Sequence, residues 1–154
     1  MVKRPVRVFL DSNVIISGIF SDKGSPRIIL DILSLGLPFV VGATGRYNMI
    51  EIERNLKRKM PKALPIYQKY LSDINLEIIP LPSKEEIEEY CGYISDKDVP
   101  VLVSAIKGNA DFLVTGDEKD FSKLRKHSHL RFEILNPPEF LDVFRLLFED
   151  LQEK

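Results

Sequence analysis

The sequence predicts a three-layer α/β/α sandwich around a mostly parallel central sheet, and three observations carry that expectation. Short apolar, β-rich runs alternate with longer segments whose apolar residues recur at helical spacing, the pattern of strand–helix–strand crossover units. The runs end at Asp, Asn, Gly or Pro, residues that stop strands and open turns or helices. At 154 residues the chain has the length of one domain and shows no repeat, linker or low-complexity tract. Residues 1–154 are therefore read as a single domain.

Val6 to Leu10 forms the first expected strand, stopped by Asp11-Ser12-Asn13. A Gly/Ser/Asp-rich loop is expected from Ser17 to Ser25. Ser25 then caps a helix that carries Pro26 in its first turn, the apolar stripe Ile28, Ile29, Ile32, Leu33 and Leu35, and a stop at Gly36. Phe39-Val40-Val41 reads as the second strand, followed by a helix from about Arg46 to Lys59 that breaks at Pro61. A helical piece from Leu64 to Leu71 leads to a strand at Glu77-Ile78-Ile79, closed by Pro80 and Pro82. Ser83 and Glu86 make a capping box for the next helix. Asp98 reads as the N-cap of another helix, with Pro100 in its first turn and Val101, Leu102, Ala105 and Ile106 facing the core. Strands are then expected at Phe112–Thr115 and Phe132–Leu135. Asn136-Pro137-Pro138 opens a final helix that buries Phe140, Leu141, Phe144, Leu147, Phe148 and Leu151.

Composition removes several functional classes. With 44% hydrophobic and 29% charged residues the chain is neither disordered, collagenous nor stapled by disulfides. Lys and Arg number 22 against 23 Asp and Glu, a net charge of −1, so no global positive field advertises nucleic acid or an anionic membrane. A phosphate-bearing partner must be held locally. Cys91 is alone, which together with the lack of a signal-peptide pattern predicts a reducing cytoplasm; on an amphipathic helix it reads as a small core residue. The apolar runs are too short to cross a bilayer, so no membrane partner is expected.

In open parallel sheets ligands bind beyond the carboxyl ends of the strands, and Asp11 and Asp117 stand at two such ends. Asp98, at a helix start, can reach the same edge. Converging carboxylates repel one another and rise in pKa unless a cation neutralises them, and Mg²⁺ or Mn²⁺ is the natural hard, oxygen-liganded choice. Such an ion turns an acidic pocket into a phosphate site, activates water and steadies a leaving oxygen.

The wording around these residues is more specific. Val8-Phe9-Leu10-Asp11-Ser12-Asn13-Val14, then Lys97-Asp98-Val99-Pro100-Val101-Leu102, then Ala110-Asp111-Phe112-Leu113-Val114-Thr115-Gly116-Asp117 with Phe121, resemble in order the signature segments of PIN domains. The toxins of toxin-antitoxin pairs are the most similar group. The resemblance implies an α/β/α sandwich and a Mg²⁺- or Mn²⁺-dependent ribonuclease, and it assigns Asp11, Asp98 and Asp117 to the acidic cluster. For the family's second acidic residue, Glu51-Ile52 with Leu56 and Arg58 fits the wording, whereas a helical wheel sets Glu53 nearer the Met49, Ile52, Leu56 and Met60 stripe. Glu51 is the assignment and Glu53 its alternative. The resemblance further implies an RNA substrate, a cognate antitoxin and a homodimer, with Ser12, Asn13 and Thr115 orienting the carboxylates. Two departures stand out: Ser12 replaces the usual Thr, and Gly45-Arg46-Tyr47-Asn48 is unusually polar for the start of that helix.

Other residues have plainer readings. Asp111 is expected to cap or turn, Asp120 to be a solvated turn residue, and His127 and His129 to lie in a basic surface loop. Arg54, Lys57, Arg58, Lys59, Lys62 and Lys69 form a basic run without acidic residues, either a solvated face or an RNA track, while Ser83 to Asp98 is an acidic, solvent-facing stretch. The rival function is a PIN-like module that binds RNA or protein without cutting. A phosphotransfer enzyme using Asp11 as nucleophile fits less well, because the common version needs an acid where Asn13 stands.

Overall fold

The structure, a computed structural model, describes residues 4–126 and 130–152. His127 and His129 fall outside the described residues. Five parallel strands, β1 (Val6–Leu10), β2 (Val40–Gly45), β3 (Glu77–Ile79), β4 (Phe112–Val114) and β5 (Glu133–Leu135), form one sheet in the order β3-β2-β1-β4-β5. The chain thus builds outward from β1 on one side, then returns to add β4 and β5 on the other. The order reverses at β1, and an open α/β sheet forms its ligand crevice beyond the carboxyl ends of the strands at such a switch point.

The period-two alternation of β1 decides which core each residue feeds. Val8 and Leu10 enter a core built with Ile29, Leu30, Ile52, Tyr67 and Phe140. Phe9 enters a second core with Leu102, Ala105, Leu113, Phe121 and Ile134. Helices α1 (Ser12–Phe20), α2 (Ser25–Ser34), α3 (Arg46–Lys59), α4 (Leu64–Ile74) and α8 (Pro137–Gln152) cover the first face. On the second face lie α6 (Val99–Lys107) and α7 (Glu118–Phe121), with α5 (Lys84–Glu89) beside α6. The three-layer sandwich is the one the sequence predicts.

Several local expectations hold to the residue. Helix α3 spans the expected Arg46–Lys59, and Ser83 and Glu86 form their capping box. Asp111 is structural: its carboxylate accepts the Arg7 N–H at 2.8 Å and Arg4 Nη2 at 2.7 Å, clasping the start of β4 to the start of β1. Helix α8 carries a second reciprocal cap, with Asn136 and Glu139 each accepting the other's backbone N–H at 2.8 Å.

Others are corrected. The loop expected from Ser17 to Ser25 is confined to residues 21–24, because α1 continues to Phe20: Gly18 lies against Leu30 where α2 crosses α1, so a residue that reads as a breaker is a close-packing position. Gly24, not Ser25, occupies the N-cap of α2. Cys91 is exposed rather than buried. In α8 Phe140 is fully buried, but Phe148 and Leu151, expected inside, are exposed together with Leu146. Among the described residues no helix is long and apolar enough to cross a membrane.

Candidate acidic site at the sheet edge

Asp11 follows β1 directly and caps α1, accepting the Ser12 N–H at 2.7 Å. Its other oxygen, Oδ2, accepts the Thr115 hydroxyl at 2.8 Å. Thr115 follows β4, the strand paired with β1, and its hydroxyl oxygen in turn accepts the Asp117 N–H at 3.0 Å. Asn13 completes the link: its Oδ1 accepts the Gly116 N–H at 2.8 Å while its amide nitrogen approaches Asp11 Oδ2 at 3.4 Å. The carboxyl ends of the two central strands are thereby laced together by side chains. Ser12, Asn13 and Thr115 all lie where carboxylate-orienting residues are expected.

Asp98 sits at the start of α6 with only 8% of its surface exposed, and its side chain accepts the Ser95 hydroxyl at 2.6 Å rather than capping the helix. Oxygens of Asp98, Asp117 and Asp120 all lie within 4.8 Å of one another. Asp120, expected to be a solvated turn residue, is instead half-buried in this cluster, where its N–H donates to Asp117 Oδ1 at 3.2 Å. One turn of helix after Asp117 carries it back over Asp98, and the spacing from 117 to 120 is the signal that could have found it.

Helix α3 carries the two remaining candidates, Glu51 and Glu53. Its inward face is Asn48, Ile52 and Leu56, all buried, which puts Glu51 and Glu53 on opposite flanks. The Glu51 charge bears on Asp11 and Tyr47, whereas Glu53 lines a shallow cleft with Tyr67 and Leu71 against α4. The helical wheel turns the face toward Met49 and Met60 because it counts Asn48 as polar and outward. Met60 is in fact half-exposed.

Asn48 is the residue that sequence reasoning missed. Fully buried, it donates its amide to Asp11 Oδ1 at 3.2 Å and to Ser12 Oγ at 2.9 Å. The unusual polarity of residues 45–48 is its signal.

The electrostatics follow from this geometry. Burial pushes the Asp11 carboxyl up to about 6, against the hydrogen bonds from Thr115 and Ser12 and with the charges of Glu51 and Asp98 adding to the rise. Burial also raises Asp98, and neighbouring Asp120 adds to it. Asp120 is held below the usual carboxylate range by its hydrogen bonding with Asp117, then with Asp98, and by Lys97, whose Nζ is 3.7 Å away. Asp98, Asp117 and Asp120 thus gather with the Lys97 ammonium beside Asp120, while Asp11 and Glu51 lie outside that close group and reach it through their charges. Such a donor set, all oxygen and short of positive charge, suits a hard divalent cation.

The PIN domain family matches residues 7–119, most of the chain and all of the site except Asp120. The chain is a PIN domain. Solved structures agree on the fold. A VapBC2 structure from Rickettsia felis bound to promoter DNA is 20% identical, with a TM-score of 0.59 over 85% of this chain and 98% of that one. A DNA-bound VapBC from Salmonella typhimurium is 12% identical, with a TM-score of 0.61 over 85% and 98%. FitAcB from Neisseria gonorrhoeae is 18% identical, with a TM-score of 0.60 over 84% and 97%. No curated protein matches the sequence significantly. At these identities the solved structures establish the PIN fold of the chain and nothing finer.

Proposed function

We propose that this PIN domain is a metal-dependent endoribonuclease and the toxin of a toxin-antitoxin pair. The observation that carries the reading is the meeting of Asp98, Asp117 and Asp120 oxygens within 4.8 Å, beside Asp11 and Glu51, at the switch point of a parallel sheet. Asp11, Glu51, Asp98 and Asp117, joined by Asp120, would hold Mg²⁺ or Mn²⁺. Bound there, the ion supplies Lewis acidity toward a phosphoryl oxygen and lowers the pKa of coordinated water. The chain's own part is positional. Thr115, Ser12, Asn13 and Asn48 fix both oxygens of Asp11, so the carboxylate is set before any ligand arrives. The meeting of Asp98 and Asp117 with Asp120 favours the cutting enzyme over a silent binding module.

Structures of VapBC complexes share this fold, which supports an antitoxin that covers the acidic pocket. A homodimer belongs to the same reading, and exposed Phe148 and Leu151, three residues apart on one face of α8, offer it an apolar surface. The site of action would be the cytoplasm, where RNA is found.

Incubating the protein with single-stranded RNA and Mn²⁺ or Mg²⁺ tests the proposal. Cleavage should require the ion and vanish in Asp98→Asn and Asp117→Asn. RNA left intact under every divalent ion, with no ion-dependent rise in melting temperature, would overturn it.

A further inference from the structure

Next to Asp117 the surface opens into a cleft of about 440 Å³. Helix α1 contributes Asn13 and Ser17, four residues apart and so on one face, and both are exposed. Pro26, in the first turn of α2, stands at its side, and the buried Val14 and Pro137, the latter in the first turn of α8, close its floor. Gly116 leaves its wall bare; a side chain there would crowd Asn13 Oδ1, which already accepts the Gly116 N–H.

The chemistry of this lining is selective. Among the described residues Asp117 is its one charge and no cation lines it, so a phosphate group is repelled rather than held. The half-buried Pro26 ring offers an apolar face for a flat ring, over a floor closed by the buried Val14 and Pro137. The Ser17 hydroxyl makes no hydrogen bond among the described residues and is free to serve as donor or acceptor toward a ring edge. The volume falls within the usual range for small-molecule pockets and accommodates a base with its sugar.

We propose that this cleft is a subsite for one nucleobase of single-stranded RNA, beside the phosphate cut at the acidic cluster. The inference rests on the nuclease reading above and adds to it a place where sequence preference originates. Phosphates are engaged at the acidic cluster through its ion, and the neighbouring uncharged base turns into the cleft.

Ser17→Trp fills the cleft from an exposed helix position and leaves the carboxylates untouched; Ser17→Ala removes only the hydroxyl. With a randomised hexaribonucleotide pool and sequencing of the cut ends, wild type should prefer particular bases at one position flanking the cut. Ser17→Trp should flatten that preference and raise the RNA concentration for half-maximal cleavage about tenfold, the scale of removing one stacked base. Mn²⁺ affinity should not change. Ser17→Ala should alter the preference while changing half-saturation little. Wild-type preference and half-saturation in Ser17→Trp would overturn the subsite and leave the cleft to a protein partner. If wild type cuts no RNA, the nuclease reading falls by itself; the subsite is then judged by binding of the uncut hexamers, and equal affinity in wild type and Ser17→Trp overturns it.

Discussion

The Thr115 hydroxyl donates to Asp11 Oδ2 at 2.8 Å across the junction of the two central strands, although the residues are 104 positions apart in sequence. The same oxygen receives the Asp117 N–H. One hydroxyl therefore registers two carboxylates against each other. Thr115→Val keeps the shape and removes the hydrogen bond. A bond to a charged acceptor is worth about 1.5–3 kcal/mol, so Mn²⁺ affinity measured by calorimetry should fall roughly tenfold or more. Unchanged affinity would show that Asn13, Ser12 and Asn48 suffice to hold Asp11.

Asp11 also makes stability depend on pH. Its carboxyl is raised from 3.8 to about 6 in the folded protein, so the fold prefers the protonated form. The stabilisation is present below pH 3.8 and is lost as pH rises through about 6, amounting to on the order of 2–3 kcal/mol. Without divalent ions, Asp11→Asn should therefore gain stability relative to wild type between pH 4 and pH 7. Denaturant melts at both pH values measure the difference, and Mn²⁺ should reverse it by stabilising wild type alone. Parallel pH profiles for the two proteins would contradict this account.

Glu51 and Glu53 are two residues apart and face different surroundings. Glu51→Gln should abolish cleavage and weaken Mn²⁺ binding about tenfold, roughly 1.4 kcal/mol. Glu53→Gln, on the flank that meets Tyr67, should leave both near wild type. Equal loss in the two variants would mean that the helix acts through its packing and not through one carboxylate.

The basic run continues along α3 beyond Glu51. Lys57, Arg58 and Lys59 are in the last turn of the helix, roughly 9–12 Å past Glu51 by helical rise. Replacing all three by Ala should flatten the salt dependence of RNA affinity, its slope falling by about 0.7 for each phosphate no longer neutralised, and leave Mn²⁺ binding intact. A triple variant with wild-type salt dependence would make this end of the helix a solvated face.

What was legible in the sequence was mostly local. The strand at Val6–Leu10, the capping box at Ser83 and Glu86, and the limits of α3 each follow from a few neighbouring residues. So does the arrival of Asp11 and Asp117 at strand ends. What failed depended on partners distant in sequence. Gly18 stays helical because Leu30 packs on it, Asn48 turns inward because Asp11 waits there, and Asp120 is held at the cluster by its N–H bond to Asp117 and by Lys97. The outer end of α8 shows the converse: Phe148 and Leu151 keep an apolar periodicity after the core has run out at Phe140 and Phe144.

The return of the chain to β1 also has a bearing on how the protein is made. The first acidic residue leaves the ribosome at position 11, but its hydroxyl partner at 115 and the carboxylates at 117 and 120 emerge more than a hundred residues later. Until β4 docks against β1, no fragment carries an assembled cluster. A chain ending before β4 lacks Thr115, Asp117 and Asp120 and so leaves Asp11 without the hydroxyl that orients it.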